Sequence, residues 1–323
     1  MKVSFIVTTY NLSEMQLRRC LTSLTHQELA RDEYEIIVVD DESDIDPHPV
    51  VESFSSVADV HYIRQQHRKQ GAARNKALSI AQGDAIRFVD GDDFLLAGTT
   101  RLLLALLESY KGDIVISGFR ETPSSTPFTP RATADKTNCQ IDIYDSHSYM
   151  ATHTLFGSCC VLLFRRSLLR EPLLFAEDTY IEDEEFVTRL VWRAGTVVVT
   201  DLVTYAYTRN NGSTTRQRDT AHVDSLFDAR IDSLRRIQAF ASSVQGEHRG
   251  LERKVHFLAV DIVRLALREP DWEQRTALCL KQLGNQQLFP IPMADYSFKY
   301  RTFAKLSSSP TGRRLLRLWE RIR

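Results

Sequence analysis

The chain has 323 residues, enough for about two average domains and a sizeable core. Its 43% hydrophobic and 26% charged residues fit an ordinary soluble globular protein and exclude collagen-like, fully disordered and porin-like chains. Forty-one basic against 42 acidic residues carry no chain-wide signature of a nucleic-acid binder, so no nucleic-acid partner is expected. The five cysteines include no C-x-x-C pair, which argues against a disulfide framework or a cysteine zinc site. Cys159 and Cys160 sit in an apolar run and read as buried thiols. Residues 3–7 are too short an apolar stretch for a secretory leader. The longest run without Asp, Glu, Lys or Arg, residues 146–164, is broken by histidines, serines and threonines, so no membrane-spanning helix is expected. A cytoplasmic, reducing location follows, with membrane contact only from the surface.

In chain order, residues 3–8 form a short apolar run read as a buried strand. Ser13-Glu14-Met15-Gln16 has capping-box spacing, and Leu17, Cys20, Leu21 and Leu24 then repeat at helical period. Residues 35–39 predict a second buried strand ending in Asp40-Asp41, and residues 60–63 a weaker third. Residues 72–81 predict a helix before Gly83, and residues 85–89 a strand ending in Asp90-Gly91-Asp92-Asp93. A leucine stripe from Leu102 to Leu107 predicts another helix, followed by a strand over 113–119. This alternation predicts an α/β fold: a mixed, mainly parallel sheet with helices on both faces. In such sheets ligands bind beyond the carboxyl ends of the strands. Asn11, Asp40-Asp41 and Asp90 to Asp93 all follow strand ends, which makes that edge the candidate site.

Residues 121–138, rich in Pro, Ser and Thr, predict a mobile loop. A strand over 159–164, a helix over 182–194 and short strands over 197–200 and 205–208 follow. From about residue 220 only helices are predicted, as an appendage to the sheet domain. The division is therefore a catalytic domain over 1–215, with a nucleotide-binding half over 1–120 and an acceptor half over 121–215, and a C-terminal helical region over 216–323. Between Arg301 and Arg323 stand seven Lys/Arg and one acid, Glu320, together with Leu315, Leu316, Leu318, Trp319 and Ile322. That composition suits a helix on an anionic membrane surface. The competing and favoured reading is a terminal helix with its apolar side on the protein.

Four clusters carry candidate chemistry. Asp90 and Asp92, two residues apart at a strand end, suit a hard divalent cation held jointly with phosphate oxygens, although an isolated D-x-D is more often an Asx-turn. Asp40-Asp41 offers acceptors for a base or for ribose hydroxyls, or else a polar turn. Thr8, Tyr10 and Asn11 offer a ring for stacking and small hydrogen-bonding groups; Tyr10 in the core is the competing reading. Glu182-Asp183-Glu184-Glu185 opens a helix, where acids complement the macrodipole. Four consecutive acids exceed that need, and one of them suits a general base. Arg74 suits a base or a pyrophosphate, or else a surface ion pair.

Taken together and in order, these segments resemble glycosyltransferase family 2. Val3-Ser4-Phe5-Ile6-Val7-Thr8-Thr9-Tyr10-Asn11 resembles the family's opening, Ile36-Ile37-Val38-Val39-Asp40-Asp41-Glu42-Ser43 its second motif, and Gly71-Ala72-Ala73-Arg74-Asn75-Lys76-Ala77 its third. Phe88-Val89-Asp90-Gly91-Asp92-Asp93 matches the metal-binding D-x-D. Residues 175–186 resemble the acidic acceptor-side motif, and Tyr205-Ala206-Tyr207-Thr208-Arg209 the closing segment. Glu42 stands where glycine is usual, and Arg68-Lys69 replaces a common glycine pair. The resemblance spans about residues 2–215 and implies a nucleotide-sugar-binding fold of the A type (GT-A). It implies that Thr8, Tyr10 and Asn11 line the nucleoside pocket, that Asp41, with Asp40 and Arg74, meets the nucleotide, and that Asp90 holds ribose or metal. Asp92 then holds Mn²⁺ or Mg²⁺, with Asp93 behind it. Asp183 is implied as the base, with Glu182 beside it.

The implied reaction is inverting transfer of a sugar from a nucleoside diphosphate, UDP by family default, to a hydroxyl of a glycan or lipid-linked acceptor in surface polysaccharide assembly. Residues 301–323 are the candidate peripheral contact with the cytoplasmic membrane face. Two other readings compete. A haloacid-dehalogenase-like phosphatase also follows a strand with D-x-D, but Phe94 fills the position where it needs Thr or Val. A non-catalytic nucleotide-sugar binder would not need Asp92 and Asp183. No G-x-G-x-x-G, P-loop or G-x-S-x-G supports a dehydrogenase, kinase-like or serine-hydrolase reading.

Overall fold

A computed structural model describes residues 1–130, 139–171, 173–209, 219–246 and 248–322. β1 (Val3–Thr9) is buried along its whole length, as a strand in a parallel sheet covered on both faces must be. α1 (Glu14–Leu24) starts at the Ser13–Gln16 capping box and turns Leu17, Cys20, Leu21 and Leu24 inward. β2 (Tyr34–Asp40), α2 (His48–Glu52), β3 (Asp59–Arg64), α3 (Lys69–Leu78) and β4 (Ala85–Asp90) complete the first half. β5 (Phe94–Leu95), α4 (Thr99–Ser109), β6 (Ile114–Pro123), β7 (Ile141–Asp145), α5 (Ser146–Thr152), β8 (Leu162–Arg165), α6 (Glu182–Arg193) and β9 (Thr196–Arg209) follow.

The strands form one mixed sheet in the order β3-β2-β1-β4-β8-β6-β9-β5, with β7 also paired to β9. β3, β2, β1 and β4 run parallel. β8 lies antiparallel between β4 and β6, while β6 and β9 are parallel. β5 and β7 pair antiparallel with β9. The expected mixed sheet with helices is the observed one.

Several boundaries differ from the sequence expectation. The two short strands expected at 197–200 and 205–208 are one strand, β9. The register against β6 slips around Gly118, so the interruption between the two apolar runs is a bulge and not an end. The strand expected at 159–164 begins as a 3₁₀ turn over Cys159–Val161, because Ser158 Oγ caps the Cys160 N–H. α3 starts and ends about three residues earlier than its alanine run suggests. Of the loop expected at 121–138, the first three residues finish β6 and residues 131–138 lie outside those described. Cys159 and Cys160 are buried free thiols, as expected.

The chain divides into two compact units, Met1–Ser146 with Phe156–Gln217, and His147–Leu155 with Arg218–Arg323. The first holds the sheet. The second adds α7 (Thr220–Ser243), α8 (Arg249–Arg268), α9 (Trp272–Asn285), α10 (Phe298–Ser307) and α11 (Pro310–Ile322). Its core gathers Leu234, Ile237, Ala259, Val263, Leu267, Leu283 and Phe303. Gly250 lets α8 close on Met150, where a Cβ would stand 2.7 Å from the methionine Cβ. The expectation that α11 turns its apolar side inward is met only in part: Leu316 is buried with Gly312 and Glu320, Leu315, Leu318 and Trp319 are exposed, and the Ile322 side chain lies outside those described.

Candidate active site

Strand register builds the site edge. Thr8 of β1 stands opposite Asp90 of β4, and Thr9 stands opposite Asp40 of β2, so three motif ends finish at one level. The Gly91 N–H donates to the Thr8 carbonyl (3.0 Å) and the Asp41 N–H to the Thr9 carbonyl (2.9 Å), which carries the sheet pattern into both acidic turns.

On the β2 side, Asp40 is fully buried, and its carboxylate accepts from the backbone and hydroxyl of Ser43. Asp41 is also buried; it accepts from Gln65 Nε2 (2.8 Å) and the Arg68 N–H (2.9 Å) and lies 3.0 Å from His67 Nδ1. Both carboxylates therefore shape the turn. Asn11 adopts φ +50°; its N–H donates to Ser43 Oγ (2.8 Å) and its Oδ1 accepts from the Asp44 N–H (2.7 Å). Tyr10 is not in the core: it is 47% exposed, and its ring lies 4.5 Å from that of His67. The two departures from the family pattern have a common geometry. Glu42 (φ +73°) and Lys69 (φ +64°) both occupy the left-handed region that favours glycine. Each has a compensating contact: Glu42 Oε2 accepts from the His67 N–H (2.9 Å), and Lys69 Nζ donates to the Asp178 carbonyl (2.9 Å) over the Tyr180 ring.

The β4 turn presents three carboxylates. Asp90 Oδ1 accepts from Arg74 (2.9 Å) and from Gln70 Nε2, which also donates to Thr8 Oγ1 (3.1 Å). Arg19 and Thr208 Oγ1 both donate to the Asp92 carbonyl, fixing the turn from two sides. Asp93 is buried behind them, accepting from Tyr205 Oη (2.7 Å) and the Thr208 N–H (2.7 Å). Burial, then Asp92 and Asp90, push the Asp93 carboxyl well above the usual range.

Arg74 ties this turn to α6. It is buried, not a surface pair, and donates to Asp90 (2.9 Å), Glu182 Oε1 (2.8 Å) and Asp183 Oδ1. Gly71 permits the approach: a Cβ there would stand 2.2 Å from the Ala176 carbonyl oxygen and 3.3 Å from Glu182 Cγ. Asn75, one residue beyond, brackets Phe175 with two hydrogen bonds and fixes the chain leading into α6. Asp183 Oδ2 accepts from the Cys159 N–H (3.3 Å). Burial raises Asp183 against the lowering effect of Arg74. Burial and then Asp183 raise Glu182 to about 7, again opposed by Arg74. The helix N-terminus is thus not the main control on these acids; burial and one guanidinium are.

Sequence reasoning missed Gln70, Tyr205 and Thr208 as supports of the acidic turn. Tyr205 and Thr208 lie in the closing motif, but only the β9 pairing shows what they hold. It also missed Phe119 and Phe156, two exposed rings stacked 5.3 Å apart. Phe156 precedes Gly157, where a Cβ would meet the Glu184 carboxylate, and Cys159, which holds Asp183.

The donor set suits a hard divalent ion. Asp90 and Asp92 could supply oxygen ligands, and Asp93 behind them is raised first by burial and then by those two neighbouring carboxylates. Among the described residues, the ligand atoms that cluster as a trio within 4.8 Å are those of Glu35, Asp59 and His61, on the opposite ends of β2 and β3. At the β4 turn Asp90 and Asp92 could supply two ligands, the rest of the shell falling to phosphate oxygens or water.

This chain is similar to the Bacillus spizizenii protein called poly(ribitol-phosphate) beta-glucosyltransferase, 25% identical over 270 residues, which cover 82% of this chain and 40% of that one. The chain spans about two fifths of the length of the curated relatives it matches first. The fold is similar to that of Staphylococcus aureus TarS residues 1–349 solved with UDP-GlcNAc (TM-score 0.74, 18% identity, 100% of this chain and 93% of that one). It is also similar to a Pyrobaculum calidifontis mannosyltransferase solved with GDP-Man and Mn²⁺ (TM-score 0.56, 15% identity, 99% and 87%). The fold is GT-A. The family model described as Glycosyl transferase family 2 matches residues 4–172, which carry the sheet from β1 to β8 and the acidic turns at its edge; the chain belongs to that family.

Proposed function

We propose that residues 1–215 catalyse inverting transfer of a sugar from a nucleoside diphosphate donor, UDP-sugar favoured, to a hydroxyl of a glycan or lipid-linked acceptor in surface polysaccharide assembly. The observation that carries this reading is the Arg74 side chain, whose guanidinium bonds to Asp90 on the β4 turn and to Glu182 and Asp183 on α6. The donor-side acids and the candidate base therefore lie within the span of one side chain.

In this reading Thr8, Tyr10, Asn11 and the turn shaped by Asp40 and Asp41 receive the nucleoside, with Tyr10 as the exposed stacking ring. Asp90 and Asp92 would hold Mn²⁺ or Mg²⁺, which when bound neutralises charge on the departing diphosphate. Asp183 takes the proton from the acceptor hydroxyl as its oxygen bonds to the anomeric carbon and the diphosphate leaves from the opposite face. Such a base contributes about 10²–10⁴-fold. Arg74 opposes the upward push of burial on Asp183, and Glu182 shares that cation. The stacked Phe119 and Phe156 give an apolar surface for the acceptor. A cytoplasmic location and a peripheral contact with the inner membrane face through residues 301–323 complete the proposal; no helix among the described residues is long and apolar enough to cross a membrane.

Thermal shift with UDP-sugars and GDP-sugars, each with and without Mn²⁺, tests it. A nucleotide at 100 times its Kd should stabilise by about 2.7 kcal/mol. Asp92→Ala should remove the metal-dependent part of that shift. Asp183→Asn should abolish transfer while leaving nucleotide affinity within a few fold. Absence of any nucleotide-dependent shift, or near wild-type transfer by Asp183→Asn, refutes the assignment.

A further inference from the structure

We propose that the outward face of α11 is a docking surface for an anionic lipid membrane. The helix is held with most of its described large apolar residues outside. On its inner side Gly312 closes on the Leu306 carbonyl, where a Cβ would stand 2.1 Å away, and Leu316 is buried in the core of its unit. Glu320 is buried as well, bonded by Arg264 Nε (2.9 Å) and Arg268 Nε (2.9 Å) from α8. Those contacts fix the rotation of the helix. They leave Leu315, Leu318 and Trp319 respectively 54%, 60% and 38% exposed. At positions i, i+3 and i+4 these residues share one face. A leucine pair and a tryptophan outside, with a glutamate inside, reverse the arrangement that water alone would favour.

Charge selects the partner. α10 and α11 carry Arg301, Lys305 and Arg314 exposed. Their acidic neighbours are Asp295, 3.1 Å from Arg301, and Glu273, 3.9 Å from Arg314, both on the surface, where such pairs are weak. The single acid of residues 301–323, Glu320, is withdrawn into the protein. Arg317 lies over the Trp272 ring, keeping its cation near the same helix. An amphipathic helix whose exposed residues are leucine, tryptophan and arginine suits the boundary between headgroups and acyl chains, with cations toward anionic lipid. The proposal rests on the functional reading only for which membrane is met; it needs neither donor nor acceptor.

Vesicle sedimentation of the full chain tests it, with phosphatidylglycerol mixed into phosphatidylcholine against phosphatidylcholine alone. The chain should sediment with the anionic vesicles and be released by high salt. Leu315→Glu with Leu318→Glu should weaken binding at least about tenfold with unchanged melting temperature, since both side chains are outside the core. Arg301→Gln, Lys305→Gln and Arg314→Gln together should weaken binding and flatten its salt dependence, each charge counting for roughly fivefold. No binding to anionic vesicles, or equal binding by the double glutamate variant, overturns the proposal. So does a dimer in light scattering that the glutamates dissolve while vesicles go unbound, which would assign the face to a second copy. Donor-dependent thermal shifts are read separately, so failure here leaves the catalytic reading standing, and the reverse.

Discussion

Replacing Arg74 by methionine separates the electrostatic role of this side chain from its packing. The guanidinium is buried and faces three carboxylates, two of which, Glu182 and Asp183, burial already raises. At a charge separation of about 4 Å and an effective dielectric near 20, each pairing is worth about 4 kcal/mol, or about three pH units. Relaxation and water entry reduce this, so the acid limb of the transfer rate should move up by about one to three pH units in Arg74→Met. The proposed base, Asp183, would then be harder to ionise, and the rate at pH 7 should fall about 10- to 1000-fold and partly recover as pH rises. Stability should fall by about 3–5 kcal/mol, the usual consequence of breaking a buried pair. With the carboxylates raised further, the folded state binds more protons than the unfolded one, so that loss should be smallest near pH 5 and grow toward pH 8. The assays are initial rates across about pH 5–9.5 and urea unfolding near pH 5 and pH 8. A rate that falls with an unmoved acid limb refutes the reasoning and leaves Arg74 a packing residue.

Glu182→Gln should flatten the pH dependence of stability. Glu182 is raised from 4.5 to about 7, so its contribution is present below pH 4.5 and lost as pH rises through 7, on the order of 3 kcal/mol; parallel unfolding curves against pH would exclude this. At Lys69, with φ +64°, glycine should be more stable than alanine by about 1 kcal/mol, because both lose the Asp178 contact and only alanine keeps the strain; chemical denaturation orders the two. Arg87→Met should leave stability unchanged or raise it by up to about 4 kcal/mol. Burial pushes that guanidinium down to about 9, its Nε has no partner, and the Thr100 and Thr204 hydroxyls it bonds keep Gln27 and Ser117. A loss above about 2 kcal/mol would show that the charge is needed.

The first half of the sheet was readable because its signals are local. Apolar runs marked β1, β2 and β4, and each ended in the polar residues that became the site edge. The Ser13 capping box marked the start of α1. What escaped were facts set by partners distant in sequence. β7 has too little apolar content to declare itself and exists by pairing with β9. Arg74 offered no local sign that it would be buried, since two of the three acids that satisfy it lie about a hundred residues later. α11 reads as amphipathic, but only Arg264 and Arg268 decide that its glutamate goes inward. Glu42 and Lys69 were visible as departures, and their positive φ gives the reason glycine would suit those turns.

The long strand β9 bears on how the site comes into being. Tyr205 and Thr208 clasp Asp93 from 112 and 115 residues away, and Thr208 also holds the Asp92 carbonyl. A nascent chain that has exposed all of β1 to β4 still lacks the lacing that shapes its acidic loop. The shape of that turn is therefore completed only once β9 has been made, and any fragment or permutant that cuts ahead of β9 should leave the acidic loop without its supports.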